Sequence, residues 1–69
     1  MRKETLGSRI RGLRESLGMT QTDLATSLDL TQAAVSQLES DRHLPSYETL
    51  VALADVLCTS TDYLTGRDL

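Results

Sequence analysis

Between Thr31 and Ser40 the chain reads TQAAVSQLES, and its outward chemistry recurs at helical spacing. Gln32, Ala33, Ser36, Gln37 and Ser40 are separated by one, three, one and three positions, which sets them along one stripe of a helix. The stripe carries amides, hydroxyls and a methyl, but no Lys or Arg. A primary amide places a donor beside an acceptor and pairs bidentately with the edge of an adenine; a methyl meets the methyl of thymine. That is the chemistry of reading a base edge by hydrogen bonds. Amide-rich faces are also common on ordinary solvated helices, so the stripe alone leaves both readings open.

No other constellation offers competing chemistry. His43 is the single histidine and Cys58 the single cysteine, so neither a zinc site nor a convergent catalytic set can be assembled. The expectation is a protein that is not an enzyme and holds no cofactor or metal. Cys58 has no basic neighbour in sequence and reads as a packed thiol rather than a reactive one. One cysteine cannot close an internal disulfide.

The helix bearing the stripe must be held by its surroundings. Thr20 and Thr31 each precede an apolar-periodic run, where an N-cap hydroxyl belongs. Thr20-x-x-Asp23 has capping-box spacing. Leu24 and Leu28 share a face with Ala25 beside it, and Ala34, Val35 and Leu38 form the facing surface of the next segment. Only Asp29 and Leu30 separate Leu28 from Thr31, so the chain must turn sharply and stack one short helix on the other. Small Ala25 lets the second helix approach Val35 and Leu38.

Upstream, Leu6, Ile10, Leu13 and Leu17 are spaced four, three and four, which predicts an amphipathic helix from about Glu4 to Leu17, stopped by Gly18. Gly7 and Gly12 weaken it slightly. Arg14 lies near its end, where positive charge suits the helix dipole. Downstream, Ser40 to Pro45 reads as a loop, with Leu44 expected to plug the core. Ser46 caps a fourth helix whose buried face is Leu50, Leu53, Ala54 and Leu57. Ser60 caps a short fifth helix that Gly66 stops. Tyr63 and Leu64 supply apolar surface, either to close the core or to meet another chain.

The chain has 69 residues and a formal net charge of −3, which allows one domain with a modest aliphatic core. Residues 1–19 carry five cations against two carboxylates, a balance of +3; residues 20–69 carry two against eight, −6. The basic end could face phosphate. No apolar run approaches the ~18 residues a membrane span needs, and no signal peptide is visible. A cytoplasmic location is expected, with no membrane partner.

From Leu6 to Gly66 the sequence resembles the helix-turn-helix family of phage repressor and Cro proteins, also called the XRE family. The residues that carry the resemblance are SRIRGLRESLGMTQTDLA, VSQLES, LPSYETLVALADVL and STDYLTG. The resemblance implies an all-α, compact five-helix fold of the lambda-repressor type, filling residues 1–69 as one domain. Its helix-turn-helix spans residues 20–39, and its third helix lies in the DNA major groove. It implies a phosphate contact for Gln21, backbone contacts for Arg42 and His43, and an ion pair between Arg14 and Glu39. It also implies dimerisation through the C-terminal end. Two positions depart from the family pattern: Asp29 and Asp41 stand where Gly is usual, though Asp tolerates the left-handed conformation better than most residues.

The resulting expectation is a sequence-specific regulator of transcription, a repressor acting as a homodimer on an inverted-repeat operator in double-stranded DNA. Thr31, Gln32, Ala33, Ser36 and Gln37 are assigned to bases. Gln21, Arg14, Ser40, Arg42 and His43 are assigned to the phosphate backbone, and Tyr63, Leu64 and Leu69 to the dimer interface. The alternative is an antitoxin-type module whose partner is a protein.

Overall fold

The computed structural model describes residues 4–67, which form five helices: α1 (Leu6–Ser16), α2 (Gln21–Leu28), α3 (Gln32–Glu39), α4 (Tyr47–Val56) and α5 (Thr61–Thr65). Each helix starts the same way. Thr5, Thr20, Thr31, Ser46 and Ser60 hold extended backbone, and each hydroxyl accepts from the backbone N–H three residues on. One of the four unpaired donors at each helix start is thereby satisfied. Thr5 forms a capping box with Ser8, and Thr20 with Asp23. The Thr5 box sets the start of α1 at Leu6, two residues later than the apolar spacing indicates.

The helices also end alike. Gly18, Asp29, Asp41, Cys58 and Gly66 all have positive φ. The residue after each donates to the carbonyl five positions back: Met19 to Arg14, Leu30 to Ala25, Arg42 to Gln37, Thr59 to Ala54 and Arg67 to Asp62. This is the Schellman closure, which turns the chain and satisfies orphaned carbonyls together. Three of the five left-handed positions are not glycine. At Asp29 and Asp41 the short carboxylate tolerates the conformation. Cys58 has no carboxylate to do the same at its φ of 56°, and its thiol is exposed rather than packed.

The core comprises Ile10, Leu24, Ala25, Val35, Leu38, Leu53, Ala54, Leu57 and Leu64, with Leu6, Leu13, Met19, Leu28, Leu30, Leu50, Val56 and Tyr63 packed around it. α3 packs on α2 and α1, α2 on α4, and α5 closes against α1 and α4. Two expected core residues lie elsewhere. Leu17 is half exposed because it caps α1, where the backbone leaves the helical path; Met19 supplies the apolar contact instead. Leu44 is 83% exposed, standing on the loop before Pro45 while Leu38, Leu53 and Leu57 close the core without it.

Gly7 does more than weaken a helix. A Cβ there would stand 2.5 Å from the carbonyl oxygen of Glu39 and 2.6 Å from that of Leu38. The missing side chain lets the first turn of α1 rest directly on the backbone at the end of α3. Asp41 completes the joint: one carboxylate oxygen accepts from Gly7 N at 2.9 Å and the other from Thr5 Oγ1 at 2.6 Å. The departure from glycine at position 41 thus caps α1 with a residue from beyond α3.

Candidate nucleic-acid interface

The α2–α3 corner is set by three residues. Asp29 adopts φ 57°, ψ 41°; Leu30 packs against the core; and Thr31 opens α3. Ala25, 2% exposed, is the small residue between the two helices, and Val35 is fully buried opposite it. With Val35 and Leu38 turned inward, Thr31, Gln32, Ala33 and Gln37 are exposed and Ser36 is partly so. The predicted stripe is one surface. The Thr31 hydroxyl also accepts from Ala34 N at 3.1 Å, so it caps α3 while facing solvent.

Beyond α3, Ser40, Arg42 and His43 are exposed on the connecting loop, and the Ser40 hydroxyl donates to Gln37 O at 3.3 Å. Gln21, the first residue of α2, is partly buried and faces two ways. Its Nε2 donates to Glu39 Oε1 at 3.0 Å, and its Oε1 accepts from Gln32 Nε2 at 2.6 Å. No pattern in the sequence announces this bridge, because the three residues are 18, 11 and 7 positions apart.

Arg14 holds Glu39 in a two-pronged pair: Nε donates to Oε2 at 2.6 Å and Nη2 to Oε1 at 3.1 Å. Its Nη1 donates to Met19 O at 2.8 Å. The side chains of Arg14 and Glu39 are only 10% and 4% exposed. The hydrogen bond to Glu39 outweighs desolvation and holds the Arg14 guanidinium above its ordinary pKa. Arg14 is therefore removed from the phosphate-facing set: its guanidinium is committed inside the fold, tying α1 to α3. Asp23 is held below the usual carboxylate range by the Thr20 backbone N–H and hydroxyl.

The C-terminal end also needs correction. Leu64 is fully buried and belongs to the core, not to an outer interface, because it closes α5 against α1 and α4. Tyr63 is partly exposed, with the Arg9 guanidinium 5.0 Å from its ring centre and Arg9 Nη1 donating to its carbonyl. Leu69 lies outside the described residues.

Two stacked short helices with a left-handed corner, a polar outer stripe on the second and a buried ion pair bracing it define a helix-turn-helix domain. A family model described as "Helix-turn-helix" matches residues 10–64, and the chain belongs to this family, that of XRE-type DNA-binding regulators rather than enzymes. The chain is 36% identical over 64 residues to the HTH-type transcriptional regulator ImmR of Bacillus subtilis (strain 168), covering 93% of this chain and 50% of that one. It is 36% identical over 69 residues to Repressor protein C2 of Salmonella phage P22, covering all of this chain and 32% of that one. The chain thus spans half or less of the length of these two relatives. Among solved structures, the P22 c2 repressor in complex with a synthetic operator superposes with a TM-score of 0.90 at 35% identity, covering 96% of this chain and 100% of that one. Among the described residues, no helix is long and apolar enough to cross a membrane.

Proposed function

We propose that this domain binds duplex DNA sequence-specifically, as a homodimer on an inverted repeat, and represses transcription in the cytoplasm by occupying a promoter. The observation that carries the reading is the exposed run of Thr31, Gln32, Ala33 and Gln37 at the free face of α3, with Ser36 beside it. These side chains present donors, acceptors and a methyl to a groove that an α-helix fits, and they do so from the N-terminal end by which such helices enter. Gln21 and the N-terminus of α2, with Ser40, Arg42 and His43 on the loop, hold the backbone: phosphate contacts fix register and base contacts carry sequence.

One eight-residue helix reads few base pairs, so two copies are needed for a selective site. Their recognition helices enter successive major grooves ~34 Å apart. The domain's extents of 31 × 23 × 23 Å are compatible with two copies side by side at that spacing. Tyr63, on the partly exposed side of α5, is the residue assigned to contact between copies.

Selection of bound duplexes from a random pool tests the reading. The expected result is an enriched inverted repeat with half-site centres about 10 bp apart. Absence of any enriched motif would overturn it, and an enriched single half-site would remove the dimer.

A further inference from the structure

We propose that Gln37 makes binding sensitive to chemical modification of the DNA: a methyl group on N6 of the adenine it reads releases the domain from its site. The inference rests on the proposed reading of Gln37 as a base contact and adds to it a state of the DNA that the same contact excludes.

Gln37 is the amide on α3 whose whole hydrogen-bonding capacity is available. Its side chain is exposed, and among the described residues no hydrogen bond engages its amide. Gln32, by contrast, spends an N–H on Gln21 at 2.6 Å. A free amide sets an N–H beside a carbonyl oxygen, and adenine answers with N7 as acceptor and the N6 amino group as donor. N6 carries two hydrogens. One pairs with thymine, and the other points into the major groove, where the Gln37 oxygen accepts it. In a paired N6-methyladenine the methyl group stands in place of that second hydrogen. The donor is lost, and a carbon is set against an oxygen that only accepts. The amide has to withdraw, and its bond to N7 is lost as well.

Nothing nearby replaces the contact. On the helix surface the neighbours of Gln37 lie three and four positions away. Ala33 and Ala34 offer only methyls. The Ser40 hydroxyl donates to the Gln37 carbonyl at 3.3 Å. Asp41 accepts from Thr5 Oγ1 at 2.6 Å and Gly7 N at 2.9 Å, and a carboxylate supplies no donor for N7. The stripe itself carries no Lys or Arg, so no charge on it compensates for the lost amide contact.

An effect of the methyl group on duplex shape or pairing makes a different prediction. It would weaken wild type and Gln37→Ala alike. The amide contact instead ties the loss to one side chain and one adenine in each half-site.

The experiment starts from the duplex taken from the random-pool selection. Replacing each base pair in turn, with wild type and Gln37→Ala, identifies the pair that Gln37 reads. N6-methyladenine is then placed at that adenine in one half-site or in both, and separately at adenines whose replacement leaves binding unchanged. Wild type is expected to lose about tenfold in affinity for each half-site modified at the Gln37 position and nothing at the control adenines. Gln37→Ala is expected to bind modified and unmodified duplexes equally, with circular dichroism confirming its fold. An adenine analogue with carbon in place of N7 is expected to weaken wild type at the same position and again to leave Gln37→Ala unchanged. If wild type binds the methylated duplex as tightly as the plain one, or if Gln37→Ala keeps the full loss, the inference is overturned. It is overturned too if the pair read by Gln37 is G·C. If no base preference depends on Gln37, the base-reading assignment itself has failed and the sensitivity falls with it.

Discussion

Gly7 and Gly12 sit five residues apart in α1, and the same substitution should move stability in opposite directions. At Gly12 a Cβ meets nothing within 4 Å, so Gly12→Ala only trades backbone entropy for a better helix former. The expected gain is about 0.5–1 kcal/mol. At Gly7 the new carbon would stand 2.5 and 2.6 Å from two backbone carbonyl oxygens, where ordinary contact begins near 3.4 Å. Backbone cannot rotate aside as a side-chain tip can, so the end of α3 must retreat by nearly ~1 Å in a closely packed interior. Overpacking of this kind costs ~1–3 kcal/mol. The shift also stretches the 2.9 Å bond from Gly7 N to Asp41, and a further loss of about 1 kcal/mol is expected there. After the ~0.5–1 kcal/mol gain in helix propensity is subtracted, the net expectation is a loss of about 1–3 kcal/mol, and at ~4–8 °C per kcal/mol for a domain this size the melting temperature should fall by at least about 4 °C. Thermal unfolding followed by circular dichroism measures both variants. A Gly7→Ala protein that melts with or above wild type would refute the close approach of α1 to α3.

Other substitutions separate the remaining roles. Gln37→Ala should relax preference at one base pair per half-site by about 1–3 kcal/mol, read by competition between selected and substituted duplexes; unchanged discrimination would take Gln37 off the interface. Tyr63→Asp should abolish cooperative binding to a two-half-site duplex while leaving the helical spectrum intact, whereas Leu64→Asp, at a fully buried position, should unfold the domain; a folded Leu64→Asp protein would contradict its core placement. Cys58→Gly should stabilise by about 1 kcal/mol by relieving a left-handed residue, while Asp41→Gly should gain nothing or lose stability because it forfeits two tertiary hydrogen bonds. Equal gains from both would mean that the Asp41 bonds contribute nothing.

The parts of the fold legible in sequence are those decided locally. A hydroxyl before an apolar run marks a helix start whatever lies around it, and Thr20, Thr31, Ser46 and Ser60 all proved to be caps. Thr5-x-x-Ser8 is a similar signal that the apolar stripe masked, because Glu4 extends the helical pattern without taking part in it. What sequence reasoning misplaced depends on distance in three dimensions. Leu17 continues the α1 period but falls on the cap, and Leu44 is apolar but stands on a loop whose neighbours already fill the core. Leu64 carried two readings because helical spacing shows that a residue has an apolar side, not what covers it. Gly7 looked like a weak helix former, since close backbone approach leaves no periodic trace. The Arg14–Glu39 pair was suggested by family resemblance, and the geometry then removed Arg14 from the phosphate set. Gln21 was assigned to phosphate; its bonds to Glu39 and Gln32 link residues that no spacing rule connects.

These placements change the electrostatic account of an acidic DNA-binding domain. The +3 balance of residues 1–19 suggested a basic flank, but Arg14 is consumed by Glu39, Arg11 pairs with Glu15 at 3.3 Å, and Arg9 lies over Tyr63. Among the described residues Arg42 is the exposed cation on the loop that follows α3, the helix proposed to read bases. Counterion release then has few sources among the described residues: each phosphate neutralised adds about −0.9 to the slope of log K against log salt, so two Arg42 residues in a dimer account for about −2, with Arg2 and Lys3 lying outside the described residues. Helix N-termini add attraction without a full charge. Salt titration of binding to the selected duplex should therefore give a shallow slope, and Arg42→Ala should flatten it by about one unit per protomer while weakening all sequences alike. A steep slope that survives Arg42→Ala would move the phosphate contacts to other cations. A change in base preference in that variant would move Arg42 from phosphate to a base. A shallow slope would have a mechanistic consequence, because weak charge attraction also means weak binding to random DNA. Selectivity would then rest on base contacts from the exposed face of α3 rather than on charge.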